Sequence, residues 1–307
     1  MDAATDSARA EERTAVVVIG SANLDIVTNV DRIALPGQTV LGHSLSEVPG
    51  GKGLNQAVAV VRSGAVCALI GTVGDDPAGQ ALRELLTRAG VSVDHLAEST
   101  VRTGHAFVQV DDSGENSIVV VPMANAELTE LQVRTGLETL RPHVVLAQLE
   151  VPFTAIDAAI TWVRVHGGRF ILNASPSVEM DDDTLAACDP VVVNVAEARA
   201  LLGGSDASPD VLAEQLAQVS HSAVVTDGPR GAAVADATGV RIVSGLAVSV
   251  VDTTGAGDEF AGALAAGFYR GLDIYSAVQA ANAAAARAVA LPRHRRVREL
   301  PTGAATE

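Results

Sequence analysis

The sequence predicts an α/β protein built on a mostly parallel central sheet. Short β-branched runs alternate with helix-like stretches along most of its 307 residues, the rhythm of repeated βαβ units. Several of those runs end in a polar or acidic residue, where open α/β sheets collect ligands. Hydrophobic residues make up 48% of the chain, enough for a sizeable core. No apolar run approaches the ~20 residues of a membrane-spanning helix.

In order, Met1 to Thr14 is polar and acidic with no apolar stretch, and is expected to be a disordered tail rather than a signal peptide. Ala15–Gly20 reads as a buried first strand, followed by Asn23 and Asp25, whose alternation places both on one side. Residues 26–49 alternate apolar and polar around a Leu35-Pro36-Gly37 turn, with edge strands expected at Thr39–Leu41 and Ser44-Leu45. Gly50-Gly51-Lys52-Gly53 opens an apolar helix to about Arg62; it lacks the Ser or Thr of a Walker loop. Val66–Ile70 is a strand, and Asp76-Pro77 caps a helix to about Arg88.

Gly104–Val110 and Asn116–Val121 flank Asp111–Gly114 and read as a hairpin that breaks the βαβ rhythm. It is expected to join residues 26–49 in a small β lid, comprising 26–49 and 102–123. The core then comprises 15–25, 50–101 and 124–300, with a C-terminal tail at 301–307. Val144–Glu150, Arg169–Asn173, Val191–Asn194 and Ala223–Thr226 are further strands, with helices at 153–166 and at about 274–290. Trp162 belongs to the core. Asn194 and Glu197 share a helix start, as a cap pair does or as oxygen donors to a hydrated magnesium ion.

The densest signal is Val251-Asp252-Thr253-Thr254-Gly255-Ala256-Gly257-Asp258. A β-type run from Leu246 leads in, and a long helix-like run from Asp258 leads out. Glycines at a helix start leave backbone N–H groups and the positive end of the dipole open to an anion. Asp258, one residue later, adds a carboxylate expected to stay ionised. An anion site beside a base suits phosphoryl transfer to a hydroxyl.

Charge restricts the partners. There are 21 Lys and Arg against 37 Asp and Glu, a net charge of −16. That argues against nucleic acid and against an anionic membrane. A nucleotide must then be met by local donors and a divalent metal. Cys67 and Cys188 lie in apolar surroundings, which fits a reduced, cytoplasmic setting.

As a set these segments resemble ribokinase within the PfkB group of sugar and nucleoside kinases. The carriers are Gly-Ser-Ala-Asn-Leu-Asp at 20–25, Gly-Gly-Lys-Gly-Leu-Asn-Gln at 50–56, Thr-Gly-His-Ala near 103 and Gly-Glu-Asn at 114–116. Gln-Leu-Glu at 148–150, Asn-x-x-Glu at 194–197 and Asp-Thr-Thr-Gly-Ala-Gly-Asp at 252–258 complete them. The resemblance implies a three-layer α/β/α core with a small β-sheet lid, and ATP-dependent phosphorylation of a primary sugar hydroxyl, with ribose as the expected sugar. By position, Asp258 would receive the hydroxyl proton, and the amides of Gly255, Ala256 and Gly257 would hold the developing charge. Asn23, Asp25, Gly51, Lys52, Asn55 and Glu150 would bind the sugar. Asn194, Thr226, Gly228, Gly231 and Asn282 would serve the nucleotide, and Glu197 would hold magnesium through water. Asp252 and Thr254 match half of a monovalent-cation site, and a homodimer through the lid is expected.

Two departures stand out. Met123-Ala124-Asn125 replaces the usual Gly-Ala-Asn. The loop after the last helix reads Leu291-Pro292-Arg293-His294-Arg295-Arg296, without the family's glycine or serine. The resemblance therefore carries over only half of the potassium site, and an arginine is a candidate for the cation's charge. The alternatives are a nucleoside or ketose kinase of the same group, for which Phe107 and Met123 would supply an apolar wall, and a catalytically silent sugar sensor.

Overall fold

A computed structural model describes residues 16–292 together with Arg296. The expected tails at 1–14 and 301–307, and the rest of the basic cluster after Pro292, lie outside the described residues. In chain order the elements are β1 (Val16–Ile19), β2 (Asn23–Val30), β3 (Gly42–Gly50), α1 (Lys52–Arg62), β4 (Cys67–Gly74), α2 (Pro77–Arg88), β5 (Val91–Ser92), β6 (Leu96–Ser99), β7 (Gly104–Val110) and β8 (Asn116–Val121). They continue with α3 (Glu130–Leu140), β9 (Val144–Gln148), α4 (Phe153–His166), β10 (Arg169–Asn173), α5 (Asp182–Ala186), β11 (Val191–Asn194), α6 (Val195–Leu201), α7 (Pro209–Ala217) and β12 (Ala223–Thr226). The last are β13 (Gly231–Asp236), β14 (Gly239–Ser244), α8 (Ala256–Tyr269) and α9 (Ile274–Val289).

The four residues of β1 show how the layers arise. Successive strand side chains point to opposite faces. Val16 and Val18 join one buried cluster with residues of α1, α2, α8 and α9; Val17 and Ile19 join the other with α3, α4 and α7. The sheet between them has the order β14-β13-β12-β11-β10-β9-β1-β4-β5, with β6 also on β4. From β4 through β1 and β9 to β12 the pairs are parallel, and β13 and β14 are added antiparallel. This is a three-layer α/β/α fold. Local chemistry sets the helix starts: Asp76 accepts from the Gly79 amide ahead of Pro77, and Asp273 accepts from Tyr275 and Ser276. Trp162 is buried, and its Nε1–H donates to Glu138.

A second sheet of four strands stands apart, in the order β3-β2-β7-β8. Its hairpin turns at Asp111–Gly114, where the Asp111 carboxylate accepts from the Ser113 and Glu115 amides.

Three local expectations need correction. Asn23 and Asp25 are not the end of β1. They start β2 of the small sheet, so a boundary at 25/26 falls inside a strand. Thr39–Leu41 forms no strand, and β3 is one run from Gly42, because β2 ends at Val30 opposite Gly42 and leaves earlier residues unpaired. The run Leu246–Val251 is also not a strand. Here the chain leaves edge strand β14 and crosses back to α8, which packs over the middle strands β1 and β9. A crossing segment has no parallel neighbour to pair with. Leu246, Val250 and Val251 are exposed, and the Val251 amide bonds instead to the Val289 carbonyl.

Candidate active site

The parallel strands deliver their last residues to one edge of the sheet, and two helix N-termini face the same edge. At the first, α1, the cap is Gly51, whose φ of 89° is readily adopted only without a side chain. Gly53 lets α1 sit against the end of β1: a Cβ there would lie 2.5 Å from the Gly20 carbonyl carbon. Two of the early amides of α1 are already taken. Lys52 N–H donates to Glu150 Oε2 at 3.2 Å, and Leu54 N–H to the Ser21 carbonyl at 2.9 Å. Ser21 Oγ also donates to Glu150 Oε2, at 2.5 Å.

The second N-terminus is open. α8 starts at Ala256, two residues earlier than its sequence suggests, with Gly255 as a left-handed cap and no capping side chain. The Ala256 amide bonds to the Thr253 carbonyl at 3.1 Å. Among the described residues, the amides of Gly255, Gly257 and Asp258 have no acceptor. These groups line a cavity of about 230 Å³ together with Lys52, Asn194, Glu197 and Thr226. Unfilled N–H groups at a positive helix end, with an ammonium nearby, make an anion site.

Asp258 sits in the first turn of α8 and is buried. Its Oδ2 accepts from Asn55 Nδ2 at 2.9 Å and its Oδ1 from Gln56 Nε2 at 3.0 Å. Burial pushes its carboxyl above the ordinary value, and Glu150 pushes the same way; Lys52 and the two amides pull it down without cancelling the rise. Its carboxylate is therefore a better proton acceptor than an ordinary one.

The sugar-side candidates divide. Asn23 and Asp25 are buried on one face of β2, and Asn23 Oδ1 accepts from Asn125 Nδ2 at 2.7 Å. Lys52, Asn55 and Asp258 meet at the two helix starts. Thr226 reaches the cavity, whereas Gly228, Gly231 and Asn282 do not line it. Asn282 donates to the carbonyls of Val243 and Ser244 and borders a separate cavity of about 560 Å³ with Arg241 and Tyr275. Asn194 and Glu197 form a reciprocal capping box: each side chain accepts from the other's amide, at 2.8 and 2.9 Å. Phe107 pairs with Ile26, on the face of the small sheet opposite Asp25, which pairs with Ala106. It therefore supplies no wall beside Asp25.

A family model described as pfkB family carbohydrate kinase matches residues 13–295. The chain belongs to the PfkB family of carbohydrate kinases. It is 33% identical to a ribokinase of Haemophilus influenzae over 90% of this chain and 92% of that protein. It is 35% identical to a ribokinase of Bacillus subtilis over 89% and 92% respectively. Among solved structures, ribokinase from Thermotoga maritima superposes with a TM-score of 0.82 at 28% identity, covering 94% of this chain and all of that one. Arabidopsis thaliana ribokinase, solved with ribose and ATP, gives 0.80 at 26% identity over 95% and 99%.

Within this PfkB fold, the sequence reading gave no role to a row of buried side-chain amides. Gln148 Nε2 donates to Gln56 Oε1 at 2.7 Å, and Gln56 Nε2 donates to Asn173 Oδ1 at 3.0 Å as well as to Asp258. Asn173 in turn donates to the Val192 carbonyl at 3.1 Å. The available signal was an amide closing an apolar strand, in Val-Val-Leu-Ala-Gln148 and Arg-Phe-Ile-Leu-Asn173.

The family implies two metals, and the donors present suit one of them. Glu197 and Asn194 offer a few oxygens beside the anion cavity, a set that fits magnesium, which keeps most of its waters. The Asp252–Thr254 turn does not fit a monovalent cation. Its Asp252 and Thr254 carbonyls accept from the Arg296 guanidinium instead.

Proposed function

We propose that this chain is an ATP-dependent sugar kinase that phosphorylates a primary hydroxyl, with D-ribose giving ribose 5-phosphate as the best-supported reaction. The ribokinase relatives support the substrate. One observation carries the chemistry: a buried carboxylate of raised basicity shares a cavity with acceptor-free amides at a helix N-terminus. Asp258 takes the hydroxyl proton. The sugar oxygen attacks the γ-phosphorus, the bond to the β-phosphate oxygen breaks, and ADP leaves. The amides of Gly255 and Gly257 hold the charge spread over the moving phosphoryl group, as each such donor contributes ~100–1000-fold in rate. Ala256 N–H is committed to Thr253 and contributes less directly.

Lys52 neutralises phosphoryl charge. Asn55 orients Asp258 through its amide and keeps its own oxygen for a sugar hydroxyl. Asn23, Asp25, Gly51 and Glu150 line the sugar side, and Glu150 also fixes the start of α1. Asn194 and Glu197 would hold hydrated magnesium, which neutralises the β- and γ-phosphates when bound. Thr226, Gly228, Gly231 and Asn282 serve the nucleotide side. The small sheet acts as a lid that excludes water, the competing acceptor. Leu45, Phe107 and Val119 are exposed on its face away from Asp25, which supports a homodimer through the lid. Among the described residues no helix is long and apolar enough to cross a membrane. Both cysteines are free and buried, which supports a reducing, cytoplasmic setting.

The test is a panel of pentoses, hexoses, ketoses and nucleosides with ADP formation as readout. D-ribose should give the highest kcat/KM. A nucleoside or ketose preferred over every pentose would overturn the substrate assignment.

A further inference from the structure

The turn ahead of α8 is held by a residue that the reaction chemistry does not use. Arg296 is buried. Its guanidinium donates from Nη1 to the Thr254 carbonyl and from Nη2 to the Asp252 carbonyl. Nε and Nη2 also bond to the Leu291 carbonyl, at 3.1 and 3.0 Å, and the Asp252 carboxylate lies 3.8 Å from Nη2. The backbone of Arg296 is gripped as well: its carbonyl accepts from Arg62 Nη2 at 2.5 Å, while Arg62 Nη1 reaches Glu259 at 2.6 Å. The arginine is thus tied to α1 and α8 at once.

A trans peptide unit is planar, so its C=O and N–H point in opposite directions. The Thr254 carbonyl and the Gly255 N–H belong to one such unit. Fixing the carbonyl on Arg296 therefore aims the N–H away from the arginine, and Gly255 lines the anion cavity. A charged donor on the carbonyl also polarises the peptide and strengthens its N–H. The convergence of two carbonyls and a carboxylate at one point demands positive charge, and here the chain supplies its own.

We propose that Arg296 is a positioning residue of the anion site, an internal cation that aims the Gly255 amide and makes turnover independent of monovalent metal ions. This rests on the assignment of Gly255–Gly257 to the phosphoryl group.

The experiment uses the full chain in Tris, sodium and potassium buffers of equal ionic strength, with kinetics and thermal melts in each. The wild-type kcat and melting midpoint should be the same in all three. Arg296→Ala should lose ~10–100-fold in kcat, the size of a misplaced catalytic group, with little change in sugar KM. Potassium or guanidinium ion should then restore part of kcat and raise the midpoint of the variant alone. Strong potassium activation of the wild type would overturn the proposal, as would normal kcat for Arg296→Ala in Tris, or a defect that no added cation relieves. If the variant does not fold, the wild-type salt series decides alone. The melts read cation binding without turnover, so an error in the substrate assignment shows separately, as the absence of any Asp258-dependent sugar phosphorylation.

Discussion

Gln56 is the residue whose loss should reveal how the site is held. It is fully buried and makes three side-chain hydrogen bonds, to Asn173, Asp258 and Gln148. Gln56→Met keeps the volume and removes all three. It strands Gln148 Nε2 in the interior and removes a donor from Asn173 Oδ1 and Asp258 Oδ1 at the wall of the anion cavity. Each stranded polar group costs about 1–3 kcal/mol, so the variant should lose roughly 3 kcal/mol or more. For 307 residues that is a drop of roughly 5 °C or more in Tm. Catalysis should respond in a defined direction. The Gln56 amide is one of the groups that lower the Asp258 pKa. Without it the carboxyl rises further, and the acid limb of kcat/KM against pH moves to higher pH. Urea melts and a pH–rate profile read both effects. Adding Gln148→Met should cost less than the sum of the two single changes, because the second stranded partner disappears. Unchanged stability together with an unmoved acid limb would refute the claim that this amide row positions the base.

Three further outcomes follow from the same geometry. Asp258→Asn should bind sugar and ATP yet turn over at least ~100-fold more slowly; in the wild type, activity should fall as acid protonates Asp258 above the ordinary carboxylate value of about 3.9. Near-normal turnover of the variant would remove Asp258 from its role, and an acid limb at that ordinary value would contradict the raised basicity. Gly53→Ala puts a Cβ 2.5 Å from the Gly20 carbonyl carbon and 2.6 Å from Ser21 N. It should cost about 1–3 kcal/mol in melts, the usual range for overpacking, and lower kcat/KM by moving Lys52 and Asn55; a neutral effect on both would refute the close contact. Asp76→Ala removes the cap of α2 and its bonds to Thr103, with an expected loss of about 1 kcal/mol at neutral pH. Burial raises the Asp76 pKa, but hydrogen bonds from Thr103 and Gly79 bring it below its ordinary value. The ionic part of its stabilisation is therefore present above the unfolded value and lost as pH falls through the lower folded one. The gap between wild type and variant should shrink only in strong acid, and a gap that already closes near pH 6 would contradict the assignment.

The sequence alone determined what neighbouring residues decide. The Asp76-Pro77 helix start, the Asp111–Gly114 hairpin, the strand–helix alternation and the glycine turn before Asp258 all follow from short-range backbone preferences. Seven short motifs in order then pointed to the family. Tertiary structure decided the rest. The Leu246–Val251 run has strand composition but no strand beside it, because the chain must cross the molecule there. Asn23 and Asp25 belong to the small sheet because β2 finds partners in β3 and β7. Gln56 meets Asp258 across 202 positions of sequence, and Arg296 meets Thr254 across 42. No local pattern encodes such meetings, since a buried amide or guanidinium takes its partner from whatever polar group the packed layers leave within reach.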